Sequence, residues 1–310
     1  MEQNSTPGFA ATVGFFDGVH RGHRYLIDQL KDEAARHGLK SMVITFDRHP
    51  RQVLCPDWQP QLLTTLEEKQ LLLSTTGVDS ITVLPFTPDL AQLTARRFIS
   101  EVLAAQLGVK LLLTGYDNHF GHRTADSKEG FHEYVDYGRE AGVEVVKAMP
   151  LAAHENDFGQ ACVSSSFVRR LLCEGMVEQA AECLGRQYSI SGTVVHGHEQ
   201  GRLMGFPTAN MQVLPATRLI PLGGVYAVRV RLPHSTEELP AVTNIGTRPT
   251  FGSAQQQTVE TYIPDFSADL YGQTISISFV ARLRSERKFS STAELARQMA
   301  MDVERLNRNK

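Results

Sequence analysis

Short apolar runs alternate with segments of helical period up to about residue 184, and this alternation constrains the fold more than any other feature. It indicates strands joined by helical crossovers, and therefore a parallel sheet covered by helices. The strand candidates are residues 10–13, 42–46, 81–84, 110–114 and 144–147. Helical patterns lie at residues 23–36, 67–76 and 95–107, and the apolar stripe of the last one is expected to face the core. This part of the chain is therefore predicted to form an α/β, Rossmann-like domain.

After Gly185 the pattern changes to β-rich stretches separated by glycine and proline turns. These stretches are residues 188–195, 225–231, 241–245, 259–263 and 274–281. With no helical pattern between them, they predict a small closed β-barrel. Ser291 and Glu294 have the spacing of a capping box, so a C-terminal helix is expected to follow. A length of 310 residues also favours two domains, which we place at residues 1–184 and 185–310.

The charge balance excludes partners that need a strong global field. The chain has 31 Lys and Arg against 34 Asp and Glu, a formal net charge of −3, so no overall field attracts nucleic acid or anionic lipid. No stretch resembles a signal peptide or a membrane span, and the four cysteines lack disulfide or zinc spacing. We expect a cytoplasmic protein, monomeric or a weak homo-oligomer, without nucleic-acid or membrane partners.

The first candidate site lies where the first predicted strand leads into a helix. There His20 and His23 flank Gly22, after a glycine-bearing turn that begins at Gly14. A helix N-terminus presents unpaired N–H groups and a positive dipole end to an anion, and glycine lets a phosphate approach the backbone. Two imidazoles at this place can stabilise charge on a phosphoryl oxygen, which predicts nucleotidyl transfer. The alternative is that both histidines are ordinary polar residues of a helix start.

Three other segments are candidates for holding substrate in the same domain. Ser164, Ser165 and Arg169 place hydroxyls and a guanidinium at another helix start, where they can hold the β- and γ-phosphates of a nucleotide or simply cap the helix. Residues 45–50 and 115–121 follow predicted strands, and ligands of open α/β sheets bind beyond strand carboxyl ends. Solvated loops are the alternative for both.

The second candidate site lies in the predicted barrel. Thr208 and Asn210 occupy alternate positions, so in an extended strand both side chains point the same way and offer oxygen ligands suited to Mg²⁺. Glu260 lies in an apolar strand, where partial desolvation makes a carboxylate a stronger base for a substrate hydroxyl. A surface carboxylate is its alternative. Arg284 either closes over an anionic product or is solvated.

These motifs together resemble those of the bifunctional riboflavin kinase/FMN adenylyltransferase family, the prokaryotic FAD synthetases. The resemblance spans nearly the whole chain. Residues 14–23, 45–50, 115–121 and 164–169 resemble the adenylyltransferase motifs in order. The motifs of the riboflavin kinase module are resembled in the same way at residues 205–210, 224–226, 244–250, 260, 270–272 and 288–302.

The resemblance implies two ATP-dependent activities. The barrel would phosphorylate riboflavin to FMN with Mg²⁺, and the N-terminal nucleotidyltransferase domain would adenylylate FMN to FAD with release of pyrophosphate. Glu260 would deprotonate the ribityl hydroxyl, Thr208 and Asn210 would organise the metal, and His20 and His23 would stabilise the α-phosphoryl group. The ATP-binding residues implied are Gly14, Phe15, Asp17, Gly22, Ser164, Ser165, Arg169 and Gly205. The flavin-binding residues implied are Asp117, Asn118 and Arg284.

Three alternatives remain at this stage. Asn118 and His119 replace the Phe-Arg that is more usual in this pattern, which leaves open a riboflavin kinase with a weakened or inactive adenylyltransferase domain. The second alternative is a non-catalytic flavin-binding protein, which would convert no riboflavin. A class I aminoacyl-tRNA synthetase also uses two histidines in this spacing, but it needs a second lysine-rich loop and a basic RNA-binding face.

Overall fold

The computed structural model describes residues 8–55, 57–115, 129–151, 163–197, 205–248 and 256–308. The chain divides into two units, Met1–Ser164 and Ser165–Lys310. The boundary expected at residues 184 and 185 lies after two helices that group with the second unit.

A five-stranded parallel sheet organises the first unit, in the order β3-β2-β1-β4-β5. Its strands are β1 (Phe9–Val13), β2 (Lys40–Phe46), β3 (Ser80–Leu84), β4 (Val109–Thr114) and β5 (Glu144–Lys147). Each of the five predicted strands is confirmed to within two residues at each end. Ala10 and Ala11 of the central strand are fully buried, as expected for a strand with helices on both faces.

The helices of the first unit follow the predicted alternation. They are α1 (Arg21–Arg36), α2 (Pro50–Leu54), α3 (Leu66–Ser74), α4 (Pro88–Gln92), α5 (Ala95–Arg97) and α6 (Phe131–Ala141). Residues 95–107 were expected to form one ordinary helix, but α5 continues as a π-helix over Phe98–Gln106. The wider winding ends with Leu107 N–H donating to the carbonyl of Val102 at 3.1 Å. The predicted apolar stripe is nevertheless buried, so its core-facing role is confirmed while its winding is corrected.

The strand order places the ligand-binding edge of this sheet. The chain leaves β1 towards β2 on one side, and β4 pairs with β1 on the other, so the order reverses between β1 and β4. Crevices in open α/β sheets lie at such a reversal, beyond the carboxyl ends of the strands. The loop that joins β1 to α1 leaves the sheet at this edge.

A closed antiparallel barrel forms most of the second unit, in the order β10-β7-β6-β11-β8-β9. It follows α7 (Ser165–Cys173) and α8 (Val177–Leu184). Its strands are β6 (Ser189–Val195), β7 (Thr208–Val213), β8 (Gly224–Arg231), β9 (Glu238–Arg248), β10 (Gln256–Tyr262) and β11 (Thr274–Arg284). The predicted β stretches are confirmed, and the segment bearing Thr208 is a sixth strand.

The predicted C-terminal helix is confirmed as α9 (Thr292–Arg308). Glu294 N–H donates to Ser291 Oγ at 3.2 Å, as the capping spacing predicted. Among the described residues, no helix combines the length and apolar character needed to cross a membrane.

Gly138 gives a test of how α6 packs on β5. A Cβ added there would lie 2.5 Å from the carbonyl oxygen of Val143 and 2.5 Å from a methyl group of Val145. Gly→Ala in a helix normally stabilises by about 1 kcal/mol. Here we expect Gly138→Ala to lower the free energy of unfolding by about 1–3 kcal/mol, because the added methyl overpacks the contact. Chemical denaturation of the full chain measures this change in the free energy of unfolding.

The matched control is Asp136→Ala on the same helix, where the side chain is 64% exposed. We expect that change to stay within about 0.5 kcal/mol of the unmodified protein. A Gly138→Ala protein as stable as the unmodified chain would contradict the described packing.

Candidate functional site

The two predicted catalytic histidines lie together at the start of α1. His20 is the N-cap residue, and its Nδ1 accepts a hydrogen bond from His23 N–H at 3.3 Å. The two imidazole rings stack with their centroids 3.6 Å apart and their planes inclined by 19°. Phe16 and His23 pack in a T-shaped arrangement, with a centroid distance of 5.1 Å. The helix cap therefore holds both rings against each other at the helix N-terminus.

The environment of His23 keeps its ring neutral. Burial lowers the pKa of His23 well below its usual value, and electrostatic interactions with His20 and Lys69 lower it further. Its Nδ1 is buried and has no hydrogen-bond partner among the described residues. A neutral imidazole retains one N–H group, so this ring can donate a hydrogen bond without carrying a charge.

Gly22 lies between the His20 ring and Val163, both in the first unit. A Cβ at Gly22 would lie 3.2 Å from the His20 ring and 3.2 Å from the carbonyl oxygen of Val163. Val163 immediately precedes Ser164, so the serine segment begins beside the histidine pair within the first unit. Ser165 begins α7, and Arg169, on the same helix, is also partly exposed. Both belong to the second unit, so their place against ATP stays a prediction.

The loop after β1, which runs from Gly14 to His20, has an unusual backbone. Phe16, Gly18 and Val19 take φ values of 53°, 78° and 41°. The left-handed region costs a non-glycine residue roughly 1–2 kcal/mol, and Val19 is β-branched as well. Neighbouring interactions must hold this loop in place.

Asp17 supplies one of those interactions. Its side chain is 2% exposed, and its carboxylate accepts hydrogen bonds from the N–H groups of Leu63 and Thr64 at 3.0 and 3.1 Å. The Thr64 hydroxyl donates to Asp17 at 3.1 Å and accepts from Gly18 N–H at 3.1 Å. These contacts join the loop to the segment that precedes α3. Any contact of Asp17 with ATP stays a prediction.

Lys69 was not identified from the sequence, yet it lies beneath the same loop. It belongs to α3 and is 2% exposed. Its Nζ donates to the carbonyl oxygens of Phe46 at 2.8 Å and Phe15 at 3.1 Å, and it lies 4.0 Å from the centroid of the Phe15 ring. The only available signal was a lysine four residues before the core residue Leu73 on a helical face.

The predicted substrate loop at residues 45–50 lines a cavity of about 430 Å³. His49 caps α2, and its ring packs against Phe15 and Trp58 with centroid distances of 4.7 Å in both cases. Trp58 lines the cavity and was also missed, although it is the single tryptophan of the chain. The second predicted loop lies outside the described residues from residue 116 onwards, and Asp117 and Asn118 lie there with it.

The barrel brings its predicted residues together through strand register. Glu260 of β10 pairs with Asn210 on β7 and with Asn244 on β9, and Tyr262 pairs with Thr208. Directly paired residues of antiparallel strands share one face of a sheet. Glu260, Asn210 and Thr208 therefore lie on one face. Asn244 joins them there, although its role beside the carboxylate was not predicted.

Two cavities adjoin this part of the barrel. One of about 280 Å³ is bounded by the barrel and the C-terminal segment, and its lining includes Thr208, Glu260, Phe289 and Met299. The other, of about 580 Å³, is lined by Thr208 and by the segment that ends at Tyr271. Thr208 lies on the wall of both, which places a hydroxyl where two ligands would meet.

Two further predicted residues have clear structural surroundings. Gly205 takes φ 82° in the turn before β7, and no atom of the described residues lies within 4 Å of the place that a Cβ would take. Arg284 forms a bidentate ion pair with Asp302 of α9, with its Nη2 2.8 Å and its Nε 3.0 Å from Oδ2. Asp302 is 1% exposed and also accepts from Gln298 at 3.0 Å. Arg284 thus fastens α9 to the barrel, and a flavin contact stays a prediction.

The described residues contain no cluster of three or more His, Cys, Asp or Glu side chains that could hold a metal ion. A magnesium ion at Thr208 and Asn210 would therefore meet neutral oxygen ligands from this chain. Its other ligands would come from water and from a nucleotide, as is usual for Mg²⁺.

Comparisons with known proteins cover both units. The FAD synthetase family matches residues 2–166, and the riboflavin kinase family matches residues 184–309. A protein of Escherichia coli named bifunctional riboflavin kinase/FMN adenylyltransferase is 39% identical over 303 residues, which cover 97% of this chain and 93% of that protein. A protein of the same name from Bacillus subtilis is 36% identical over 293 residues, 94% of this chain and 89% of its own. A crystal structure from Streptococcus pneumoniae described as a macrolide-efflux protein has a TM-score of 0.83 at 30% identity, covering 98% of this chain and 95% of that one.

The Arg284–Asp302 pair generates a stability prediction. Asp302→Asn leaves the largely buried guanidinium without its counter-charge, and we expect it to lower the free energy of unfolding by about 3 kcal/mol. Adding Arg284→Met removes the unpaired charge, so the double variant should be more stable than Asp302→Asn alone. Urea denaturation of the unmodified protein, Asp302→Asn, Arg284→Met and the double variant gives the coupling energy.

The exposed pair Arg231 and Glu238 provides the control, with side chains 57% and 36% exposed. Glu238→Gln should change stability by less than about 1 kcal/mol. An Asp302→Asn protein that is as stable as the Glu238→Gln protein would show that the buried pair does not hold α9.

Proposed function

The chain belongs to the bifunctional riboflavin kinase/FMN adenylyltransferase family, and we propose that its two reactions take place in separate centres. It converts riboflavin to FMN and FMN to FAD, and ATP is the second substrate of both steps. One observation carries the proposal. The histidine pair lies in the first unit, whereas the group of Glu260, Asn210 and Thr208 lies in the second.

We place the functional boundary at residues 184 and 185, with the adenylyltransferase domain at 1–184 and the kinase domain at 185–310. The start of the riboflavin kinase match at residue 184 supports this placement. The helices α7 and α8 group with the second unit by packing. We assign the serine segment at the start of α7 to adenylyl transfer because its residues resemble an adenylyltransferase motif, and not because of the unit in which α7 packs.

In the kinase centre, Glu260 accepts the proton of the ribityl hydroxyl as that oxygen attacks the γ-phosphate of ATP. Asn210 and Asn244, paired with it on both neighbouring strands, orient the carboxylate and the hydroxyl. The smaller cavity, with Phe289 and Met299 in its wall, offers an apolar surface to the flavin ring. The larger cavity takes the nucleotide, so that Thr208 lies between the two substrates.

Thr208 and Asn210 fit a hard cation because both offer uncharged oxygen atoms from one strand face. Mg²⁺ bound there would neutralise phosphate charge during the transfer. The residues themselves hold the phosphates in register with the hydroxyl that Glu260 deprotonates. Gly205, in the turn before this strand, lets the backbone approach them closely.

In the adenylyltransferase centre, the FMN phosphate attacks the α-phosphorus of ATP and pyrophosphate leaves. His20 and His23 donate hydrogen bonds to the α-phosphoryl oxygens, whose charge grows in the transition state. The backbone from Gly14 to Gly22 cradles the phosphates, and Ser164, Ser165 and Arg169 hold the β- and γ-phosphates. The flavin is assigned to Asp117 and Asn118.

The finer properties of the protein follow from its substrates. Because both steps consume ATP, we propose that the protein works in the cytoplasm. We also propose that it is a monomer or a weak homo-oligomer. Its partners are then small molecules, with no role for nucleic acid or a membrane. A product assay distinguishes this enzyme from a non-catalytic flavin-binding protein, which would leave riboflavin unchanged.

Separate centres predict separable losses. His20→Ala combined with His23→Ala should slow FAD formation by at least about 100-fold while FMN accumulates, because the donors to the α-phosphoryl group are gone. Glu260→Gln should slow riboflavin phosphorylation by about 100- to 10,000-fold but leave added FMN convertible to FAD. Chromatography of the flavins measures both steps.

Glu238→Gln, a carboxylate change on the neighbouring strand β9, is the matched control and should leave both rates within two-fold of the unmodified protein. If the histidine variant or Glu260→Gln lost both reactions while folded, the two centres would not be independent.

If Thr208 is a magnesium ligand, the Mg²⁺ concentration that the kinase reaction requires should depend on the Thr208 hydroxyl. Thr208→Val should raise the Mg²⁺ concentration that gives half-maximal kinase rate by about 10-fold, since a ligand oxygen is lost. Thr208→Ser keeps that oxygen and should stay within about two-fold. Titration of FMN formation with Mg²⁺ measures both, and equal requirements in the two variants would refute a ligand role for Thr208.

A further inference from the structure

Lys69 is a buried charged group that has no role in either of the two proposed reactions. It lies on α3 and is 2% exposed. Burial of an ammonium costs several kcal/mol unless nearby groups compensate for it. A charge in this position calls for an account of what it does.

The contacts of Lys69 are with neutral groups. Its Nζ donates to the carbonyls of Phe46 and Phe15, and it lies over the ring of Phe15. In the described part of the chain, no carboxylate lies within ion-pair distance of this ammonium. Lys69 therefore joins the loop after β1, through Phe15, to the end of β2, through Phe46. Its charge lies at the edge of the sheet where α1 begins and has no ion-pair partner in the described part of the chain.

The Phe15 carbonyl is held from two sides. Thr45 Oγ1 donates to the same oxygen at 3.1 Å. Because a trans peptide places its carbonyl and the following N–H on opposite sides, these two hydrogen bonds turn the Phe16 N–H away from Lys69. Phe16 takes φ 53°, and the described residues offer its N–H no acceptor. A backbone N–H that has no acceptor in the protein can donate a hydrogen bond to an anion.

We propose that Lys69 is a positioning residue for adenylyl transfer, which aims the Phe16 N–H at the nucleotide phosphates by holding the Phe15 carbonyl. The inference rests on the proposed function of the first unit and names a residue that acts through the loop rather than by touching substrate. The positive charge behind the donor strengthens its hydrogen bond to an anion.

The protonation of Lys69 gives this role a pH signature. Burial lowers the pKa of Lys69 from 10.5 to about 8, although the charges of Asp17 and Asp47 act to raise it. His23 also faces it, and Glu68 beside it on α3 accepts from Thr65 N–H. Between pH 8 and 10.5 the unfolded chain binds more protons than the folded one, so this group makes stability rise with pH. Its charge is lost in the same window, so adenylyl transfer should fall there. A purely structural lysine would not produce these opposite trends.

The test follows kcat/KM for conversion of FMN to FAD between pH 7 and 9.5. The unmodified enzyme should lose activity above about pH 8. Lys69→Met should be about 10- to 100-fold slower at pH 7.5 and independent of pH above that, because the titrating group is absent. Lys69→Arg keeps its charge throughout, so it should restore part of the rate and shift the loss to higher pH.

Lys31→Met is the matched control, since Lys31 also donates to a backbone carbonyl, that of Thr76 at 2.8 Å, but from a half-buried position on α1. It should keep the rate within two-fold and the same loss above pH 8. Riboflavin phosphorylation, measured on every variant, should stay unchanged.

The inference about Lys69 is overturned if Lys69→Met adenylylates FMN within two-fold of the unmodified enzyme or keeps the loss above pH 8. If Lys69→Met does not fold, Lys69→Arg decides, and an unshifted loss overturns the inference. An unmodified enzyme that forms no FAD at all would overturn the proposed adenylyltransferase centre together with this role.

Discussion

Two buried side chains of opposite charge hold the loop that follows β1, and the first centre depends on them. Asp17 ties the loop to the N–H groups of Leu63 and Thr64, and Lys69 ties the loop carbonyl of Phe15 to the carbonyl end of β2 at Phe46. Hydrogen bonds to charged groups contribute about 1.5–3 kcal/mol each, more than the roughly 1–2 kcal/mol that one left-handed residue costs. The loop therefore keeps its strained backbone, and the histidine pair at the start of α1 stays in place.

In the second centre the functional residues are positioned by strand register, whereas in the first centre they are positioned by buried charged side chains. A closed barrel has fixed pairing, and a shift of one residue would move Glu260 to the opposite face from Asn210 and Thr208. The Arg284–Asp302 pair then fixes α9 beside that face and bounds the smaller cavity. The two centres are thus built from different physical devices, in keeping with their place in different units.

The sequence predicted what depends on local pattern. The strands followed from apolar runs, the histidine pair from its spacing at a helix start, and the shared face of Thr208 and Asn210 from alternation along an extended strand. Burial of polar groups could not be predicted in this way. Whether a lysine such as Lys69 reaches solvent depends on which loops cover it, and a sequence pattern shows only the helical face it occupies.

The same limit explains the other differences. The motif predicts Asp17 as an ATP-binding residue, but it does not indicate that the carboxylate also binds backbone N–H groups that are far away in sequence. The π-helix over Phe98–Gln106 keeps the predicted buried stripe, because periods near four residues place the same side chains inward. Packing, rather than the apolar pattern, selects the winding.

The central claim is that one chain uses two ATP molecules in two separate places. Its most direct measurement is the stoichiometry of the unmodified protein given riboflavin, ATP and Mg²⁺, with flavins, ADP and pyrophosphate followed together over time. The account predicts that FMN precedes FAD, with one ADP for each riboflavin consumed and one pyrophosphate for each FAD formed. Riboflavin left unchanged, or FAD produced without matching pyrophosphate, would contradict it.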